Sequence, residues 1–339
     1  MKRVFVFCRR LLILLPVLLA ACSSDGSILQ LLTRTAQAPM FLACKPVSTT
    51  ELLFTFSTPV RLVSLTFDHD LEVASTEEGE TIRITFAKAT EIGQRITADI
   101  LVEDASRNSL NVIVPFRARN DRMPSLVLNE VRTEYSRPRV EFIEFLVLKS
   151  GNMGAMRLFI SGNSLTEPLY EFPPAEVRAG EYILLHLRSI EDGALDETGS
   201  NLNLATASGA QSGVRDFWVN RATKPLHKTS ALWLMDQDDV ILDALLLSES
   251  PEDWGKNNTI EAAKFLAERG TWLPRSGNVT DGAWVPNHSD AVSTRGTTLT
   301  RTISRDESVP PARRAGSWYI AATGNATPGQ PNSARRYTP

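Results

Sequence analysis

Acidic side chains interrupt two apolar stretches of this sequence, LVLNEV and VEFIEFLVL. Glu130, Glu141 and Glu144 could begin a calcium site or serve in acid/base chemistry, since carboxylates do both kinds of work. Glu141 and Glu144 are three positions apart, so in a regular strand they point to opposite faces of the sheet. Glu130 and Glu144 could approach each other across neighbouring strands, although the spacing fixes no third ligand. We therefore expect Asn129 or Glu130 to hydrogen-bond backbone at a strand end, and calcium binding is the alternative.

A second group of acids, in MDQDDV, comprises Asp236, Asp238 and Asp239. It resembles a calcium loop in part, but the EF-hand pattern fails because the glycine and the twelfth-position glutamate are missing. A solvated hairpin turn is the favoured interpretation. The four histidines show no zinc-protease spacing, and neither G-x-S-x-G nor a Gly-rich phosphate loop is present. The sequence therefore predicts no enzyme, no metal and no cofactor.

The charge of the chain argues against a nucleic-acid partner. It carries 36 Lys and Arg against 39 Asp and Glu, a formal net charge of -3 at pH 7. Arginines nevertheless cluster near the end, where they could meet phosphate, lipid headgroups or an anionic polysaccharide. A solvated arginine face is the favoured interpretation. The cluster consists of Arg301, Arg305, Arg313, Arg314, Arg335 and Arg336.

The N-terminal residues have the order of an export signal. MKRVFVFCRR is basic, LLILLPVLLA is apolar, and small residues follow. The apolar run is shorter than the ~20 residues that span a bilayer as a helix. We predict a signal peptide over residues 1–21 and a polar tether over residues 22–40.

Residues 19–22 read LAAC, which resembles the lipobox of bacterial lipoproteins. The resemblance implies that Cys22 becomes the mature N-terminus and carries acyl chains such as palmitate. Two or three acyl chains hold a protein on a membrane much more firmly than one chain does. The implied partner is thus a membrane, reached through the lipid at Cys22. Ser23 favours the outer membrane under the sorting rule of enteric bacteria.

This processing determines how many free cysteines the mature protein keeps. Cys8 leaves with the signal and Cys22 carries lipid, so Cys44 is the thiol that remains. A single thiol cannot form an internal disulfide, and a C-x-x-C motif is absent. We expect Cys44 to be a small buried residue in a fold that its apolar core stabilises.

An Ig-like β-sandwich domain is predicted over residues 41–121, where short alternating segments recur between turns. In TIRITF, Ile82, Ile84 and Phe86 fall on one face, which is the pattern of a half-buried strand. FTFSTPV and DASRN resemble the Ig-like repeats of bacterial surface proteins, in which a D-x-x-G-N turn recurs. Arg107 stands where that turn has glycine.

A second all-β domain is predicted over residues 122–334, followed by a short tail at 335–339. It contains an insertion at about 188–230, rich in Asp, Gly, Asn, Ser and Thr, and loops of this length are usually functional or partly disordered. One helix is predicted in NNTIEAAKFLAERG, with Asn258 as its cap and Gly270 at its end.

The second domain resembles the lamin tail domain, an Ig-like β-sandwich. LVLNEV and VEFIEFLVL match its first two strands, AGEYILL resembles a later strand, and SWYIAATGNATPGQPN resembles its closing signature. The resemblance implies two Ig-like β-sandwich domains in tandem, the second lamin-tail-like. The matching residues are Leu128, Asn129, Glu130, Val131, Phe142, Ile143, Glu144, Phe145, Leu299, Arg301, Trp318, Thr327, Pro328, Gly329, Pro331 and Asn332.

These patterns predict a lipid-anchored cell-envelope protein, a non-catalytic binding or structural module for a protein or polysaccharide partner. Recognition is expected from loops, with the insertion as the first place to look. The alternative is an accessory or degenerate subunit of an envelope hydrolase or nuclease with a calcium-assisted site. Three or more converging acidic or histidine side chains would favour that alternative.

Overall fold

The computed structural model describes residues 38–250, 252, 254, 258–275 and 284–338. Within them the chain is all-β, as predicted, with one α-helix and two short 3-10 helices. The predicted signal peptide, the lipid attachment at Cys22 and most of the predicted tether lie outside the described residues. No helix of the described part is long and apolar enough to cross a membrane.

The chain divides into two compact units. Unit 1 comprises the described residues up to Lys45 together with Glu51–Ala87 and Thr97–Phe116, and unit 2 comprises Pro46–Thr50, Lys88–Ile96 and the residues from Arg117 onward. The first six strands are β1 Phe41–Ser48, β2 Glu51–Phe67, β3 Val73–Glu77, β4 Gly79–Phe86, β5 Arg95–Asp104 and β6 Ser109–Arg117. They form a sheet in the order β3-β4-β2-β5-β6, and β1 pairs with β2.

Strand β2 pairs with two different neighbours along its length. Its first part pairs with β4 through Glu51 to Thr55, and its second part pairs with β5 from Val60 onward. Pro59 lies at the change of partner, where its missing N–H removes a ladder hydrogen bond. One long strand thus serves both parts of the sheet.

The alternation predicted in TIRITF is confirmed. Ile82, Ile84 and Phe86 are at most 5% exposed and lie in the core of unit 1. Arg107 has a φ of 65°, the left-handed conformation that glycine adopts in the related turn. Cys44 was expected to be buried but is only half-buried beside this core, because it lies on β1, none of whose residues is fully buried.

Unit 2 contains thirteen strands, one α-helix and two 3-10 helices within the described residues. The strands are β7 Ser125–Arg132, β8 Phe142–Lys149, β9 Gly151–Asn152, β10 Arg157–Ile160, β11 Tyr170–Glu171, β12 Glu176–Val177, β13 Tyr182–His186, β14 Arg215–Trp218, β15 Ser230–Met235, β16 Ile241–Ser248, β17 Val292–Ser293, β18 Ile303–Arg305 and β19 Trp318–Ile320. The helices are α1 Thr259–Glu268 and the 3-10 turns His288–Asp290 and Ala315–Ser317.

These strands build a six-stranded sheet, β14-β13-β8-β7-β18-β19, a five-stranded sheet, β11-β10-β15-β16-β17, and a two-stranded sheet, β12-β9. Apolar side chains from both sheets form one core. On β8, Ile143, Phe145 and Val147 belong to that core, so Glu144 points to the outer face of its sheet. A bulge between Leu128 and Glu130 interrupts the pairing of β7 with β8.

Helix α1 covers the second face of the five-stranded sheet. Ala262, Ala263 and Leu266 are fully buried, and Phe265 packs against Trp233 of β15. The helix ends as predicted, with a positive φ at Gly270. Asn258 occupies the N-cap position, as predicted, but its side chain makes no capping hydrogen bond.

The predicted insertion at 188–230 is largely integrated into the fold. It contains β14, which pairs in parallel with β13, and Ala205 and Ala207 pack with Val140 and Trp218 in a small separate core. Apart from β14 and Ser230 at the start of β15, the segment forms no regular strand or helix, as expected of a loop, but these contacts pack it against the rest of unit 2. Small residues, which were interpreted as a sign of a loop, allow close packing here.

Candidate functional site

Glu130 and Glu144 lie directly opposite each other on β7 and β8. Both residues have no exposed surface. This confirms the predicted approach across neighbouring strands. Two buried carboxylates side by side need strong hydrogen-bond donors or a shared proton.

The donors come from the closing segment, which we define as residues 325–333. Thr327 N donates to both oxygens of Glu130, at 3.2 and 3.1 Å, and Gly329 N donates to Glu144 Oε2 at 2.6 Å. Thr302 Oγ1 also donates to Glu130. The prediction that Glu130 bonds to backbone is thus confirmed, and the backbone belongs to the closing signature itself.

A third carboxylate, which the sequence patterns did not reveal, is Glu307. Asn129 Nδ2 bridges Glu144 Oε1 at 2.9 Å and Glu307 Oε1 at 2.8 Å. Asn332 N donates to Glu307 at 3.0 Å, and Tyr182 Oη donates to its other oxygen at 3.1 Å. The side chain of Asn129 therefore bonds to acids, while its carbonyl accepts from Asn332 Nδ2 at 3.1 Å.

Burial controls the protonation of this cluster. It raises the pKa of Glu130, against the hydrogen bonds from Thr302 and Thr327. It also raises the pKa of Glu144 well above its usual value, and the charge of Glu130 adds to that shift. The cluster is therefore suited to hold protons.

Gly329 explains why the closing signature needs glycine. Its φ is +79°, and a Cβ at this position would lie 2.4 Å from Val214 Cγ2. The positive φ and the close packing both exclude a side chain. The segment can therefore approach β8 closely enough for the Gly329 amide to reach Glu144.

Glu141 does not join Glu130 and Glu144 but forms a separate ion pair. This agrees with the spacing, which predicted that Glu141 and Glu144 point to opposite faces of the sheet. Arg188 binds it through two hydrogen bonds, of 2.8 and 2.7 Å, and stacks on Tyr135 with 4.0 Å to the ring centroid. Both partners of this ion pair are buried. No three His, Cys, Asp or Glu side chains in the described part of the chain are grouped so as to hold a metal ion.

The acids of MDQDDV form the turn of a hairpin between β15 and β16, as predicted. Asp236 Oδ1 accepts from Asp238 N at 2.8 Å and from Val240 N at 3.0 Å. Asp239 has a φ of 62° and pairs with Arg157 at 2.7 Å. These carboxylates therefore order the turn and its neighbours.

The interpretation of the late arginines as a solvated face is wrong for Arg305. Its side chain is 2% exposed and lies over Trp318, and Nη2 is 2.5 Å from Asp243 Oδ2. Its Nε donates to the carbonyl of Leu128 at 2.6 Å. The sequence VILDALLL indicated that such a partner was needed, because an acid within a buried strand requires a cation or a hydrogen-bond donor.

His186 and Asp216 form a buried pair that sequence spacing did not predict. Their side chains are 3% and 1% exposed, and Nε2 lies 2.6 Å from Oδ1. Trp218 stacks on the imidazole with 3.8 Å between centroids, and Gln211 N donates to Asp216 at 2.9 Å. The two residues are 30 positions apart, and only the parallel pairing of β13 with β14 brings them together.

Fold and contacts together define an all-β sandwich protein in which buried acids hold the closing segment. The family TP_1001_2nd, described as "protein second domain", matches residues 124–320. That match covers more than half of the chain, and the chain belongs to this family.

An uncharacterized protein of Treponema pallidum (strain Nichols) is 30% identical over 209 residues, which cover 59% of this chain and 53% of the relative. The chain thus spans about half the length of that curated relative. Among solved structures, the N-terminal part of the bacterial S-layer protein SbsC matches at 16% identity and a TM-score of 0.25, covering 44% of this chain and 40% of that one. A DUF4876 family protein from Bacteroides thetaiotaomicron VPI-5482 matches at 12% identity and a TM-score of 0.28, covering 84% and 92%. Neither TM-score supports a conclusion about function.

Proposed function

We propose that this protein is a lipid-anchored component of a bacterial cell envelope that recognises a protein or polysaccharide partner without catalysis. One observation supports the non-catalytic role: backbone amides of the closing segment donate hydrogen bonds to the carboxylates of Glu130 and Glu144. While the closing segment is in place, both acids accept hydrogen bonds from the protein's own backbone and side chains and are not free to act on a substrate. The lipobox-like residues 19–22 support the anchor, and Ser23 supports its place on the outer membrane.

Unit 2 is, in this proposal, a lamin-tail-like domain. The opening and closing motifs on which the resemblance depends meet in one hydrogen-bonded cluster, through Asn129, Glu130 and Glu144 on one side and Thr327, Gly329 and Asn332 on the other. A physical link between distant motifs supports a common fold. It does not assign a partner, since fold alone does not fix function.

The tip of the insertion is the proposed recognition surface. Leu195 and Leu204 are 52% and 43% exposed. The base beneath them is rigid, because Glu197 is buried and accepts from the amides of Leu204, Ala205 and Asp216. Exposed apolar side chains on an ordered base are suited to bind a partner.

A double substitution, Leu195→Ser with Leu204→Ser, tests this surface by affinity capture from envelope extract. We expect a partner retained by the native protein to be lost. The matched control is Leu148→Ser with Val309→Ser, since both of these side chains are 46% exposed elsewhere on unit 2. Partner retention by the tip variant, or equal loss in the control, would contradict the proposal.

The anchor has a separate test in cells. Radiolabelled palmitate is expected to enter the native protein and the Cys44→Ala variant but not Cys22→Ala, and globomycin is expected to block signal cleavage. Label remaining on Cys22→Ala would refute the anchor. This outcome is independent of the recognition surface.

A further inference from the structure

The closing segment is attached to the rest of unit 2 through a set of hydrogen bonds to buried acids. Residues 325–333 form no strand, and their amides at Thr327, Gly329 and Asn332 bind the carboxylates of Glu130, Glu144 and Glu307. The apolar cluster at this face is small and consists of Phe142, Leu184 and Val214. Because three amides of the segment are bonded to carboxylates, its attachment depends on the protonation state of these acids.

Charged and titratable groups surround Glu130 and Glu144 from every packed element. Glu307 adds a third carboxylate beside the pair, and its charge opposes ionisation of both. Arg132 on β7 favours the ionised form of Glu130, and its guanidinium lies over the ring of Phe142. The remaining groups are Tyr182 of β13, Tyr319 of β19, Arg336 and Asp306.

We propose that the closing segment is a proton-dependent strap, which covers the outer face of β7 and β8 while at least one of Glu130 and Glu144 is protonated and detaches as both ionise. Two negative charges at one buried site repel each other, and a third lies beside them. Detachment admits water to the carboxylates. It also exposes the small apolar cluster beneath Gly329, so that one event changes the charge and the apolarity of this face.

Proton linkage determines whether attachment of the closing segment strengthens or weakens as the pH rises. With the strap in place, burial raises the pKa of Glu144 well above its ordinary value of 4.5; without it, the carboxyl meets water. The attached state therefore binds more protons between pH 4.5 and the raised pKa, and attachment weakens as the pH rises through that interval. Each unit by which the pKa is raised changes the attachment equilibrium by about tenfold.

Hydrogen exchange of the native, full-length protein measures the attachment. We expect the protection of peptides within residues 325–333 to fall at least about tenfold between about pH 5.5 and about pH 8, after correction for the intrinsic exchange rate. Peptides of β15 and β16 serve as the internal reference and are expected to keep their protection. Unchanged protection of the closing segment across this range would overturn the proposal.

Two variants identify the groups responsible. Glu144→Gln cannot ionise, so its closing segment is expected to lose most of the pH dependence. Asp306→Asn removes the partner of Arg336 near the segment's end, so it is expected to lower protection at every pH while the dependence on pH remains. Full pH dependence in Glu144→Gln would refute the role of this carboxyl, and the native protein alone still decides the proposal if a variant fails to fold.

Discussion

Glu144 experiences two opposed influences at the scale of a single residue. The Gly329 amide and Asn129 Nδ2 favour its charged form, whereas burial and the neighbouring Glu130 favour the neutral form. Burial has the larger effect, and the pKa rises. Sequence spacing predicted which acids would meet but not their donors. Gly329 lies 185 positions beyond Glu144 in the chain, so no local pattern connects the two residues.

The Arg305 ion pair leads to a prediction about stability. Arg305→Ala leaves Asp243 buried with only the more distant Arg313, at 3.8 Å, as a cationic partner, and we expect a loss of about 3 kcal/mol in the free energy of unfolding. Urea unfolding followed by tryptophan fluorescence measures the change. The control is Arg314→Ala at an exposed position, which we expect to change stability by less than about 0.5 kcal/mol. Equal effects of the two substitutions would contradict the buried pair.

Gly329 gives a second prediction at this scale. Gly329→Ala would place a methyl group 2.4 Å from Val214 at a positive φ, so we expect a loss of about 1–3 kcal/mol. Gly316→Ala is the matched control, because a Cβ there would meet nothing within 4 Å. Differential scanning calorimetry of both variants is the measurement. A stable Gly329→Ala protein would show that the segment does not approach Val214 as described.

Single elements were predictable where one face is buried against a continuous core. TIRITF, the β15 to β16 hairpin and the end of α1 at Gly270 follow from local periodicity and turn chemistry. The insertion was not predictable in this way. Its order comes from long-range contacts such as Arg215 with the carbonyls of Glu176 and Gly199, which composition does not encode.

The helix caps allow a prediction at the scale of elements. Asn287 caps its 3-10 helix, since Oδ1 accepts from Ser289 N at 2.8 Å and Asp290 reciprocates, whereas Asn258 makes no such bond. Asn287→Ala is therefore expected to cost about 1 kcal/mol and Asn258→Ala less than about 0.5 kcal/mol. Thermal unfolding of the two variants, measured side by side, tests the order. A larger loss from Asn258→Ala would contradict these caps.

At the scale of the whole molecule, the two units differ in their content of tryptophan and tyrosine. All six tryptophans and all five tyrosines occur from residue 135 onward, in unit 2, so tryptophan fluorescence reports that unit. Cys44 lies in unit 1, and burial raises the pKa of its thiol to about 12. Since the thiolate is the reactive form, the folded protein should resist alkylation at this position.

We expect the two probes to respond differently to Arg305→Ala. In increasing urea, the midpoint of tryptophan fluorescence should fall, while the urea concentration at which Cys44 becomes reactive to iodoacetamide should stay unchanged. Mass spectrometry of the Cys44 peptide gives the second midpoint. A parallel shift of both midpoints would show that the chain unfolds as a single cooperative body.

The bond between Thr327 and Glu130 joins residues 197 positions apart. During synthesis or export, β7 and β8 emerge long before the amides that satisfy their acids. The outer face of this sheet stays exposed to water until the closing segment has emerged, so this face is completed later than the strands that form it. A nascent chain halted before residue 327 would present that open face to chaperones and proteases.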